Sequence, residues 1–138
     1  LYDPANEPDI AYAYLFSHFR GEEWRTQKET RRLLDKYFTT APDGIPGNDD
    51  TGTMSAWAVF TMLGLYPDCP GEPYYTLTAP VFDRAEIDTD GGTLVIEKRG
   101  EGYIRKMTLG DKPLTKYRVG HDELLRGGKL TFELKNER

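Results

Sequence analysis

The chain has 138 residues, a net charge of −5 and a mean hydropathy of −0.65, with 38% hydrophobic and 30% charged residues. No apolar run approaches the ~18 residues that a membrane span needs, and the negative balance argues against a nucleic-acid backbone as partner. A single cysteine, Cys69, excludes an internal disulfide framework and a cysteine zinc site.

The chain opens at Leu1 with neither an initiator Met nor a signal-like stretch, so it reads as a processed or excised piece. Asp9 is placed to cap a first helix running from Ile10 to Phe19, apolar almost all round and therefore expected to be buried on most sides, with Gly21 ending it. Glu22 to Phe38 differs. Thr26, Thr30, Leu33, Leu34 and Tyr37 fall on one narrow helical face, and Arg25 with Glu29 and Arg31 with Asp35 stand four apart on the wet side. Residues 39–52 read as loop, marked by Pro42, Gly44, Pro46, Gly47 and Gly52. Thr53 to Leu63 is a third helix, again apolar nearly all round, closed by Gly64 and Pro67.

This order of buried, outer and buried helix predicts that the first and third run parallel, as in a toroid of inner and outer helices. After Pro73 the pattern changes to strands. Glu86-Ile87 leads through a turn at Thr89–Gly92 to Thr93–Glu97, followed by Tyr103–Leu109, Leu114–Val119 and Leu130–Leu134. His121 to Leu125 fits one helical turn. The prediction is an α+β chain, with helices over 1–72 and an antiparallel β-sheet or sandwich segment over 73–138.

Charge is unevenly spread. No lysine or arginine stands between Lys36 and Arg84, whereas Asp43, Asp49, Asp50, Asp68, Glu72 and Asp83 do. Two acidic clusters directly precede the two apolar helices: Asn6-Glu7-Pro8-Asp9, and Asn48-Asp49-Asp50 within Gly47–Gly52. If those helices are parallel, both clusters open at one end, and Asn6, Glu7, Asn48, Asp49 and Asp50 offer the oxygen donors that Ca²⁺ takes. A carboxylate at a helix N-terminus gains about 0.3–1 kcal/mol from the helix dipole, which keeps it ionised and suits it to act as a base. The alternative is a loop whose side chains bond their own backbone, with Asp9 and Thr53 serving as caps. His18 reads as a core or rim contact, His121 as a capping or turn residue, and Cys69 as a packed thiol without a local cation.

Asn6-Glu7-Pro8, Tyr14-Leu15-Phe16, Trp24, Thr26-Gln27 and the run Pro42 to Asp50 resemble the calcium-dependent α-mannosidases of glycoside hydrolase family 92. The resemblance continues through Gly52, Met54-Ser55-Ala56-Trp57, Leu63-Gly64, Tyr66-Pro67, Pro73-Tyr74-Tyr75 and Phe82-Asp83, with looser motifs at His121 and Gly127-Gly128. It implies the last helices of an (α/α)₆ barrel followed by terminal β structure, within a longer enzyme that removes terminal α-linked mannose with inversion. By motif position it implies Asp50 as general base supported by Asp49, with Asn48 at the substrate and Glu7 and Asn6 helping to hold Ca²⁺. It further implies that the general acid lies upstream, that the piece alone is inactive, that the remainder of the parent chain is its partner, and that the enzyme is exported to periplasm, surface or medium. A carbohydrate- or calcium-binding module without catalysis, and a purely structural segment, are the competing expectations.

Overall fold

The computed structural model describes residues 5–126 and 128–137, apart from the side chain of Glu7. Its N-terminal part is helical. A 3₁₀ turn at Glu7–Asp9 precedes a seven-residue 3₁₀ helix, Tyr12–His18, and then come α1 (Glu23–Tyr37) and α2 (Thr53–Leu63). Both the type and the start of the first helix differ from expectation: Ala11, not Asp9, stands at its N-cap and no side chain caps it. Tyr12, Tyr14, Phe16 and Ser17 are weak helix formers, and seven residues without a cap give little reason to hold an α-helix. Nor is this helix buried on most sides. Ala13 and Tyr14 are buried, whereas Tyr12, Leu15 and Phe19 lie about half exposed or more.

The α1 helix buries Thr26, Gln27, Thr30, Leu33 and Leu34, close to the face its spacing predicts. Its ion pairs are partly re-sorted. Arg31 meets Asp35 at 3.4 Å, but Arg25 pairs with Glu22 and Glu29 with Arg32. Three-residue spacings bring side chains as near as four-residue ones. The α2 helix has the predicted bounds, because glycines in left-handed conformation stand at both ends, Gly52 and Gly64, each with φ +89°. Thr53 is the first helical residue rather than a cap.

The first and third helices advance in the same direction. Tyr14 stacks edge-on to Trp57 and shares a 2.7 Å hydrogen bond with Thr61, while His18 further along reaches Asp68 beyond the end of α2. Ala13, Tyr14, Leu33, Leu34, Trp57 and Ala58 form the helical core.

Among the described residues eight strands follow: β1 (Leu65–Tyr66), β2 (Tyr74–Leu77), β3 (Arg84–Thr89), β4 (Gly92–Arg99), β5 (Tyr103–Leu109), β6 (Lys112–Pro113), β7 (Arg118–Gly120) and β8 (Gly128–Lys135), with α3 (His121–Leu125) between the last two. An antiparallel three-stranded sheet has the order β1-β2-β7, and a five-stranded sheet the order β3-β4-β8-β5-β6. Within the second sheet β4 and β8 run parallel, so the expected all-antiparallel layer is mixed. Most of the strand expected at Leu114–Val119 is connecting chain, with regular pairing only at Arg118–Gly120. The sheets face each other over one core, with Leu65, Leu77 and Val119 on one side and Leu94, Ile96, Ile104, Met107, Leu130, Phe132 and Leu134 on the other.

Helices and sheets are tied together by buried polar bonds. The Gln27 side-chain carbonyl accepts from the Ile104 N–H at 2.8 Å, and Thr30 meets Thr78, hydroxyl to hydroxyl, at 3.0 Å. The first sheet draws on both sides of residue 72, since β1 follows directly on α2.

Candidate active site

The two acidic segments meet. Gly47 has φ +64°, and a Cβ built on it would lie 2.7 Å from the Cβ of Ala5, the residue before Asn6. The loop that carries Asn48, Asp49 and Asp50 is thus pressed against the segment that carries Asn6 and Glu7, in front of α2. A groove of about 500 Å³ is lined by residues 39–45 together with Gly47, Asn48 and Asp49.

The adjacent aspartates are held very differently. Asp49 accepts from the Ser55 N–H at 2.8 Å through one oxygen and from the Ser55 hydroxyl at 2.7 Å through the other. Gly52 at the N-cap has no side chain, so Asp49 reaches over the loop to serve a first-turn N–H of α2 that has no partner within the helix. The Ser55 hydroxyl first, and the Ser55 N–H after it, hold the Asp49 carboxyl below its ordinary value.

Asp50 is exposed, and among the described residues its carboxylate has no hydrogen-bond or ion-pair partner. Its backbone, in contrast, is crowded. The hydroxyls of Thr51 and Thr53 both donate to the Asp50 carbonyl at 2.6 Å. Asp50 (φ +40°), Thr51 (φ +60°) and Gly52 (φ +89°) form three successive left-handed residues, a conformation that non-glycine residues adopt at a cost.

Asn6 and Asn48 are exposed at the same junction. The side chain of Glu7, the other residue expected at calcium, lies outside the described residues. Among the described residues no group of three or more His, Cys, Asp or Glu side chains could hold a metal ion. The donors at the junction are amide and carboxylate oxygens, without thiol or imidazole, and by that chemistry they fit a hard cation such as Ca²⁺.

The remaining candidates stand elsewhere. His18 Nε2 lies 2.7 Å from Asp68, whose other oxygen accepts from Thr76 at 2.6 Å, at the far end of the 3₁₀ helix. His121 begins α3 and bonds Tyr75 at 2.9 Å, and Cys69 is a half-buried free thiol. Ser55 was not singled out by its spacing. Beyond its place in the Met54-Ser55-Ala56-Trp57 motif, the signal for it is a serine in the first turn of a helix whose N-cap is a glycine.

Residues 1–136 match the model of the glycosyl hydrolase family 92 catalytic domain. The chain belongs to glycoside hydrolase family 92. The matching stretch is a C-terminal portion of that domain. A curated fungal relative, an uncharacterized secreted glycosidase of Arthroderma benhamiae, is 32% identical over 96% of this chain and 18% of its own length. Two solved structures from Bacteroides thetaiotaomicron are similar over 96% of this chain. One is the family GH92 alpha-mannosidase BT3965 in complex with mannoimidazole, at 28% identity and TM-score 0.89. The other is the family GH92 inverting mannosidase BT2199, at 32% identity and TM-score 0.83. The chain spans 18% of the length of each. The α+β class expected from the sequence agrees with this likeness.

Proposed function

We propose that the chain is the base-bearing part of an exo-acting, inverting α-mannosidase that removes terminal α-linked mannose from glycans. The observation that carries this reading is the division of labour in one loop of a family 92 protein. Both Asp49 oxygens are engaged by Ser55, while the carboxylate of its neighbour Asp50 has no partner among the described residues.

In an inverting glycosidase one carboxylate takes a proton from water as it attacks the anomeric carbon, and a second carboxylic acid, roughly 6.5–9.5 Å away, protonates the departing oxygen. Asp50 is the residue for the first task. It is exposed to water, and the surrounding chain lacks basic residues from Tyr37 to Asp83 that would tie it up. Asn48, exposed beside the groove, offers amide donor and acceptor to sugar hydroxyls. Glu7 and Asn6 are the residues to hold Ca²⁺, which when bound would orient sugar hydroxyls and offset the charge of the base loop. The acid is assigned to chain outside these 138 residues, as are the remaining helices of an (α/α)₆ barrel, so the isolated polypeptide is expected to be inactive. Secretion is supported by the description of the fungal relative.

The experiment is turnover of 4-nitrophenyl α-mannoside by an enzyme of the relatives' length carrying this segment, with and without D50N. Loss of turnover in D50N with retained binding of mannose supports the base. Retained turnover would leave Asp50 as a ligand of a binding site.

A further inference from the structure

We propose that Ser55 is a positioning residue for this reaction, clamping both oxygens of Asp49 so that the loop between them keeps the shape that presents Asp50. The inference rests on the reading of Asp50 as base.

Ser55 spends both of its donors on one carboxylate six residues earlier in the chain: the N–H on Oδ1 at 2.8 Å, the hydroxyl on Oδ2 at 2.7 Å. Each oxygen of Asp49 is thereby directed, and the carboxylate cannot turn about its own axis. The segment so closed contains the three left-handed residues Asp50, Thr51 and Gly52. Two of these are not glycines, and such a run persists only where its surroundings hold it.

Besides main-chain bonds from the Thr53 N–H to the Asp50 carbonyl and from the Met54 N–H to the Asp49 carbonyl, three holds are visible among the described residues. One is the clamp itself. A second is the pair of hydroxyls from Thr51 and Thr53 on the Asp50 carbonyl, and the third is Gly47 packed on Ala5. The two threonine bonds act on the Asp50 main chain, one of them from the first residue of α2, and Gly47 lies before the aspartates. Thr53 and Met54 of α2 reach the main-chain carbonyls of the acidic pair, whereas Ser55 bonds both oxygens of the Asp49 carboxylate. The adjacent carboxylates therefore divide the work, Asp49 anchoring and Asp50 reacting, and the lowered pKa of Asp49 suits the anchor, since it stays an acceptor. Ser55 touches neither water nor sugar in this scheme.

The test uses the same enzyme of the relatives' length, with S55A, S55T and D50N assayed on 4-nitrophenyl α-mannoside. A positioning role predicts that S55A lowers kcat about 10–100-fold while KM stays within about twofold. S55T, which retains both donors, should recover most of the rate. The unfolding temperature of each variant accompanies the kinetics. A kcat for S55A within about twofold of the parent would overturn the proposal. So would equal losses in S55A and S55T with lowered unfolding temperatures in both, which would mark Ser55 as structural only. If D50N retains its rate, the base reading falls, and the positioning role with it. If D50N is dead while S55A is unimpaired, the positioning role alone is lost.

Discussion

Ala5 and Gly47 touch across 42 residues of chain: the space where a Gly47 side chain would begin is already filled by the Ala5 methyl, 2.7 Å from that point. Two requirements coincide at Gly47, a left-handed φ of +64° and a neighbour that leaves no room. The G47A variant should therefore lose more than the roughly 1–2 kcal/mol that a left-handed alanine costs by itself. Urea unfolding of the 138-residue chain gives the number. A loss smaller than that would mean the two acidic segments are not pressed together.

The far end of the same helix pair offers a second prediction. The side chain of Asp68 is 1% exposed and is held by His18 at 2.7 Å and Thr76 at 2.6 Å, joining the 3₁₀ helix to β2. Replacing it in D68A removes both bonds and strands the Thr76 hydroxyl, which is itself buried. A loss of about 1.5–3 kcal/mol is expected, the range for hydrogen bonds to a charged group. It should show as a lower denaturation midpoint with an unchanged slope.

Acid should weaken the five-stranded sheet through Glu97. Lys129 first, at 2.6 Å, and Arg99, at 2.7 Å, hold its carboxyl below the ordinary value of 4.5, with Arg84 at 3.6 Å also facing it. A carboxylate with a lowered folded pKa stabilises above its unfolded pKa and ceases to do so as pH falls through the folded value. Parent and E97Q should thus differ most above pH 4.5 and converge as the pH drops below it. Thermal unfolding from pH 7 downward reads the gap, and a gap that widens in acid would contradict the assignment.

Leu15 on the 3₁₀ helix and Phe19 just after it are 47% and 62% exposed, and both line an apolar groove of about 490 Å³. Side chains this exposed contribute little to folding, so the double variant L15S/F19S should unfold within about 0.5 kcal/mol of the parent. It should also associate less at high concentration, since contiguous exposed apolar surface promotes association. Light scattering across a concentration series distinguishes the two. Equal scattering would show that this surface is not sticky.

How far the sequence carries depends on how local the deciding interaction is. The bounds of α2 were legible because Gly52 and Gly64 sit at its own ends, and β5 was legible because its turns flank it directly. The first helix misled, since its apolar composition says nothing about the 3₁₀ pitch or about which side finds a partner. β1 is two residues long and lies between Gly64 and Pro67. Nothing nearby marks it as a strand, for its partner is β2 and β2 in turn pairs with β7 some 40 residues on. The parallel pairing of β4 with β8 is equally non-local. At the site, the acidic loop and its place before α2 could be read directly. That Asp49 and Asp50 are held so differently could not, because the deciding bonds come from Ser55, in the first turn of the following helix.

The position of β8 bears on how this protein reaches its fold. It is the last strand in sequence yet lies at the centre of the five-stranded sheet, with β4 on one side and β5 on the other. The β3–β4 and β5–β6 hairpins can each zip up early, but they share no edge, and neither can be joined to the other until residues 128–135 arrive. Closure of the loop from β4 to β8 then sets the pace, and such long-range pairing is slow compared with hairpin formation. During synthesis the two hairpins wait with open edges, and the sheet is sealed from its middle.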